Sequence, residues 1–98
     1  MEIKQPAIAG TLESSDVMVS IHPNSEAKLE IQLQSIVKSQ FGDAILQTTK
    51  EVLEAFGITT AIVSLNDKGA LDWVLRARVQ AACCCATEST FQWEGEDK

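Results

Sequence analysis

The chain has 98 residues, 8 Lys+Arg against 14 Asp+Glu for a formal net charge of −6, and it is 45% hydrophobic but only 5% aromatic. A chain of this length buries roughly 60–70% of the surface its unfolded form exposes, enough for one core without disulfides or metal, so a single soluble domain is expected. The longest apolar run, Ala81 to Ala86, falls far short of the roughly 20 residues of a membrane helix. The nearest basic pair, Arg76 and Arg78, is no substitute for the clustered cations that nucleic acid requires, so no membrane and no nucleic acid is expected among the partners.

The start, Met1 to Pro6, has no apolar stretch behind a basic residue and does not read as a secretory leader, so a cytoplasmic address is expected. Residues 10–36 read as extended. Gly10-Thr11-Leu12 suits a short strand that turns through Glu13-Ser14-Ser15-Asp16 into a second one, which places Ser14 near a hairpin tip. Val17, Val19 and Ile21 alternate with Met18 and Ser20, and Leu29, Ile31 and Leu33 alternate with Glu30, Gln32 and Gln34, the period of half-buried strands. His22-Pro23-Asn24-Ser25-Glu26 between them is turn-like, which predicts antiparallel pairing of the two.

The period changes after Ser39. Phe41, Ala44, Ile45, Thr48, Val52, Leu53 and Phe56 recur at helical spacing, with Ser39 as N-cap and Gly57 as the left-handed end. Ile58 to Leu65 is rich in β-branched residues and has the length of a strand, and Asn66-Asp67-Lys68-Gly69 then supplies turn residues. A second helix, about Ala70 to Ala86, carries Leu71, Val74, Leu75, Arg78, Ala82 and Cys85 along one stripe. Arg78 interrupts that stripe, either as a snorkelling side chain or as a partner for phosphate or carboxylate. Three strands, a helix, a strand and a helix predict an α+β fold: a small antiparallel or mixed sheet of about four strands with two helices packed on one face. Residues 1–86 form the expected domain, and 87–98, with Phe91, Trp93 and an acidic end, form a tail expected to be mobile or laid over the core.

The residues suited to chemistry are few. Cys83, Cys84 and Cys85 are consecutive, so on a helix they point about 100° apart and cannot converge on one metal; they read as small apolar residues in a reducing compartment. There is one histidine, His22, beside Pro23 in a turn, and no phosphate-loop or dinucleotide pattern, so catalysis by the chain itself is poorly supplied. What stands out is Ala9-Gly10-Thr11-Leu12-Glu13-Ser14-Ser15-Asp16-Val17-Met18: a hydroxyl on an exposed turn, flanked by two carboxylates, where another protein can reach and modify it.

That segment, with Gln40-Phe41-Gly42-Asp43-Ala44-Ile45 and Asp67-Lys68-Gly69-Ala70-Leu71-Asp72 followed by Leu75-Arg76-Ala77-Arg78, resembles the citrate lyase acyl carrier proteins, the gamma chains of bacterial citrate lyase. The likeness runs from Ile3 to Ala82, with three separated motifs in order. It implies a non-catalytic carrier whose Ser14 bears a phosphodiester-linked 2′-(5″-phosphoribosyl)-3′-dephospho-CoA, attached by a prosthetic-group transferase that reads Glu13 and Asp16 or the turn they shape. Ser15 is a second hydroxyl beside the first. The resemblance further implies an alpha subunit that exchanges the arm's acetyl group for citrate, and a beta subunit that cleaves the citryl thioester to oxaloacetate. Arg78, and behind it Arg76, are candidate contacts for the arm's phosphates. The other readings are a carrier of a related decarboxylase such as malonate decarboxylase, a non-catalytic protein-interaction module, and a stand-alone hydrolase.

Overall fold

Alternating apolar residues build the layer on which everything else rests. The computed structural model describes residues 3–36 and 38–88. Its elements run β1 (Ala7–Ala9), β2 (Val17–His22), β3 (Leu29–Ser35), α1 (Lys38–Ala55), β4 (Ala61–Asp67) and α2 (Asp72–Thr87). The sheet order is β1-β2-β4-β3, antiparallel except that β3 and β4 are parallel, and both helices lie on one face. This is the expected α+β architecture in its mixed form. The tail with Phe91 and Trp93 lies outside the described residues.

One face of the sheet makes the core. Val17, Val19 and Ile21 of β2 and Ala61, Val63 and Leu65 of β4 are buried against Val52 and Leu53 of α1, Phe56 in the turn just after it, and Leu75, Val79, Ala82 and Cys83 of α2. Each fully buried Val, Leu or Ile side chain among them contributes about 1.5–3 kcal/mol. The other face stays wet, with Ser20, Gln32, Ser64 and Asn66 along it.

Several local expectations are corrected. The first strand is Ala7–Ala9, not Gly10–Leu12, because Gly10 turns to a φ of +95° and leaves the ladder. β2 and β3 do not pair: β4 lies between them, and residues 23–28 bridge that gap, with Ala61 donating its N–H to the Lys28 carbonyl at 3.2 Å. A helix between two strands returns the chain in the same direction, so β3-α1-β4 forms a parallel pair, and β4 takes the central place that its alternating burial suits. Helix α1 starts at Lys38, so Ser39 is inside it rather than capping it, and Phe41 and Ala44 stay exposed. Its end is as expected, with Gly57 at a φ of +68° and Ile58 donating to the Leu53 carbonyl at 3.0 Å.

Helix α2 starts at Asp72, not Ala70. The buried Asp67 carboxylate accepts the N–H groups of Gly69 at 3.2 Å and Ala70 at 3.0 Å and the Ser35 hydroxyl at 2.8 Å, which holds the preceding residues as a turn. Leu71 is therefore outside the helix and exposed, and the buried stripe is Leu75, Val79, Ala82, Cys83 and Ala86. The cysteine in the core is Cys83, while Cys85 is exposed.

Candidate functional site

Ser14 sits between β1 and β2 on a loop that both its own residues and two distant elements hold in place. The Asp16 N–H donates to the Glu13 carbonyl at 3.1 Å, so Ser14 and Ser15 are the two central residues of a four-residue turn. Ser15 has a φ of +65°, the sign that the third position of a type II turn requires. The turn is stitched to the end of β4: the Ser15 N–H donates to the Lys68 carbonyl, and the Lys68 N–H to the Asp16 carbonyl, both at 2.9 Å. Gly10 opens the loop, and a Cβ there would stand 1.8 Å from the Val17 carbonyl oxygen, so the loop's two ends touch through a residue without a side chain.

Asp16 is the hub. Its carboxylate accepts Arg78 through Nε at 3.0 Å and Nη2 at 2.8 Å, the Thr11 hydroxyl at 2.8 Å and the Val17 N–H at 2.7 Å. Thr11 Oγ1 in turn accepts the Glu13 N–H at 3.2 Å. The two-pronged Arg78 contact first, then Thr11 and the Val17 N–H, hold the Asp16 carboxyl well below the usual carboxylate range, and the same pairing pushes Arg78 up. Arg78 thus resolves as a tether from α2 to the loop, its side chain 40% exposed beside an Asp16 that is 13% exposed.

Within this frame Ser14 is exposed, and its hydroxyl makes no hydrogen bond to any described residue. A turn this tightly held with its central hydroxyl left open can accept a large substituent without losing a contact. Glu13 is exposed beside it.

The other candidates fall elsewhere. Arg76 binds Asp72 at 2.8 Å and Glu51 at 2.9 Å, which together with the Thr48 hydroxyl on Asp72 at 2.7 Å ties α1 to α2. Arg76 is the first cause that lowers both carboxyls. His22 closes β2 at the end opposite Ser14. Burial pushes the Cys83 thiol up to about 12. Among the described residues no group of three His, Cys, Asp or Glu is placed to hold a metal, and no helix is long and apolar enough to cross a membrane. Sequence reasoning missed Lys68, whose backbone alone does the work, and Thr11, whose spacing to Asp16 was the available signal. The Asp16–Arg78 pair is 62 residues apart and has no local signature.

Residues 4–86 match the ACP family described as "Malonate decarboxylase delta subunit (MdcD)". A crystal structure titled as a Pseudomonas malonate decarboxylase hetero-tetramer in complex with malonate contains the same fold, with a TM-score of 0.70 and 24% identity over 82% of this chain and 81% of that one. Fold and family thus define the class, a small acyl-carrier-type domain. The citrate lyase acyl carrier protein of Clostridium perfringens is 50% identical over 95% of this chain and 93% of its own length. Citrate lyase acyl carrier protein 2 of Salmonella typhimurium is 54% identical over 95% and 97%. The Haemophilus influenzae protein of the first name is 52% identical over 96% and 97%. The chain belongs to the citrate lyase acyl carrier protein family.

Proposed function

We propose that this chain is the acyl carrier subunit of a cytoplasmic citrate lyase, with Ser14 as the covalent anchor of a 2′-(5″-phosphoribosyl)-3′-dephospho-CoA arm. The observation that carries the assignment to Ser14 is its exposed, unbonded hydroxyl at the centre of a turn fixed by Asp16 and Lys68. Bound there, the arm supplies a thiol on which acyl groups travel as thioesters. The chain's own residues do the holding. Asp16 and Thr11 fix the turn, Ser15 takes the left-handed position beside the anchor, and Arg78 braces the loop while its exposed portion remains within reach of an arm phosphate.

The partners in this reading are the alpha and beta subunits of citrate lyase and the prosthetic-group transferase. The 50–54% identity to citrate lyase carriers over nearly the whole chain favours that assembly over a malonate decarboxylase, whose subunit likeness at 24% carries the fold alone. Mass spectrometry of the chain from cells fermenting citrate, or co-expressed with the transferase, tests the assignment. The expected result is an adduct on the Ser14 peptide, heavier than phosphopantetheine by a phosphoribosyl-nucleotide portion, that Ser14→Ala abolishes and Ser15→Ala retains. An adduct that follows Ser15, or an unmodified mass from such cells, overturns it.

A further inference from the structure

Arg78 is held by Asp16, Arg76 by Asp72 and Glu51, and Lys28 by Glu26, so their charges are already matched. Lys68 is different. Its side chain is half-buried, yet it forms no hydrogen bond or ion pair with any described residue. Lys68 is also the residue whose backbone is bonded to the anchor turn.

The Ser15 N–H donates to the Lys68 carbonyl and the Lys68 N–H to the Asp16 carbonyl, so Ser15 and Asp16 together face one residue. Two residues opposite one make a β-bulge, and Ser15, at a φ of +65°, takes the left-handed place in it that glycine ordinarily fills. The bulge fixes the reach. Cross-strand neighbours have Cα atoms about 4.5–5.5 Å apart and the next residue along is ~3.8 Å away, so the Ser14 Cα stands within about 9 Å of that of Lys68. An extended lysine stem carries its ammonium about 6 Å from Cα, and a phosphorus on the Ser14 hydroxyl sits about 3–4 Å from its own, so the two meet without moving the backbone. The Ser14 N–H is a further open donor, bonded to no described residue.

We propose that the Lys68 ammonium, with the Ser14 N–H beside it, seats a phosphate esterified to Ser14. That this phosphate is the arm's phosphodiester rests on the carrier reading; a phosphate monoester has the same chemistry. A compact ammonium with three rotatable donors suits a phosphate that arrives late and must be followed. Arg78 would have to release one or both of its bonds to Asp16, and with them the hub of the loop, to do the same. With its first phosphate seated, the arm leaves the domain in a set direction instead of pivoting freely about Ser14, which narrows the volume its far end explores.

The test installs phosphoserine at position 14 by genetic code expansion and follows its phosphorus resonance with pH. The charged groups around that position are Lys68, the paired Asp16 and Arg78, Glu13 in the turn, and Lys38 and Asp43 in the first turns of α1; Asp67 is buried and turned to Ser35, Gly69 and Ala70. Phosphoserine takes its second proton near pH 6, at about the ordinary value. Lys68→Gln is expected to raise that midpoint by about 0.5, the effect of one unit charge about 5 Å away in water, and Lys68→Arg to keep it. Lys38→Gln, on a helix nearest to α2 and β3, is expected to move it by less than about 0.2, as is Lys50→Gln, about 18 Å further along that helix. Salt at about 1 M should shrink the difference. The Lys68 side chain bonds nothing described, so melting temperatures should stay near that of the parent. In the loaded chain, trace acetylation read by peptide mass spectrometry is expected to label Lys68 about fivefold more slowly than in Ser14→Ala, relative to Lys50, with high salt restoring the rate.

A midpoint that Lys68→Gln leaves in place overturns the seat. So does one that Lys38→Gln moves equally, or equal labelling of Lys68 in the loaded and unloaded chains. If no adduct appears on Ser14 the carrier reading fails, and the phosphoserine titration still decides the seat by itself.

Discussion

Replacing Gly10 with alanine isolates how tightly the anchor loop is closed, provided it is read against the same change at Gly69. Both glycines have left-handed backbones, with φ of +95° and +89°. Both variants therefore pay the cost of placing an L-residue there, about 1–2 kcal/mol. They differ in what the new methyl group meets. At Gly69 the nearest atom is Ile36 Cδ1 at 3.8 Å, ordinary contact with the end of a mobile side chain. At Gly10 it is the Val17 carbonyl oxygen at 1.8 Å, with Arg78 Cδ at 3.3 Å behind it. A backbone carbonyl cannot rotate away, so the loop itself must shift, and overpacking of that kind adds about 1–3 kcal/mol. For a domain of this size each kcal/mol moves the melting temperature by roughly 4–8 °C. Gly69→Ala should then melt about 4–16 °C below the parent, and Gly10→Ala about 8–40 °C below it or not fold at all. Thermal unfolding followed by far-UV circular dichroism reads both. If Gly10→Ala loses no more than Gly69→Ala, the contact between the two ends of the loop does not restrain it and the reasoning fails.

The remaining predictions concern charge and thiols. Because Arg78, Thr11 and the Val17 N–H lower the Asp16 carboxyl in the folded state, the stability it contributes is present above the unfolded carboxylate value and is lost as pH falls through the folded one. The stability gap between the parent and Asp16→Asn should therefore be flat above about pH 5 and shrink steadily from about pH 4 towards 2, which denaturant titration at several pH values measures; a gap independent of pH refutes the pairing. Arg78→Gln should show the same narrowing, and unchanged loading of Ser14 beside that lower stability would restrict Arg78 to holding Asp16. With its thiol buried and pushed up to about 12, Cys83 should resist an aromatic disulfide reagent in the native protein while Cys85 reacts. All three thiols should titrate in denaturant, and a native count of three would place Cys83 at the surface.

The period of the apolar residues made the element order and the two-layer architecture legible. What it could not convey was strand order: β2 and β3 each show a half-buried alternation, and nothing in either distinguishes a direct neighbour from a strand one place removed. The answer lies in β4, whose Ala61, Val63 and Leu65 bury as deeply as Val17, Val19 and Ile21 and whose crossover from β3 forces parallel pairing. The start of α2 was displaced for a related reason. Asp67 looks like an ordinary turn residue in sequence, yet it is 2% exposed and caps three groups, which delays α2 to Asp72. At the candidate site Ser14 was readable from its turn chemistry and from the resemblance, whereas Asp16 was seen only as a flanking acid. Its role depends on Arg78, and a pairing over that separation leaves no periodic trace.

The distribution of those bonds along the chain bears on how the protein is made. The Ser14 turn spans four residues, but the groups that lock it, the Lys68 backbone and the Arg78 guanidinium, come 53 and 62 residues after Ser15 and Asp16. On a ribosome, the serine emerges long before its clamp has been synthesised, and until β4 and α2 have formed, the loop lacks the bonds that lock it. An enzyme that reads the clamped geometry is thereby reading whether translation and folding of the entire domain are complete. Truncated or unfolded chains still contain Ser14, but they do not contain the shape around it.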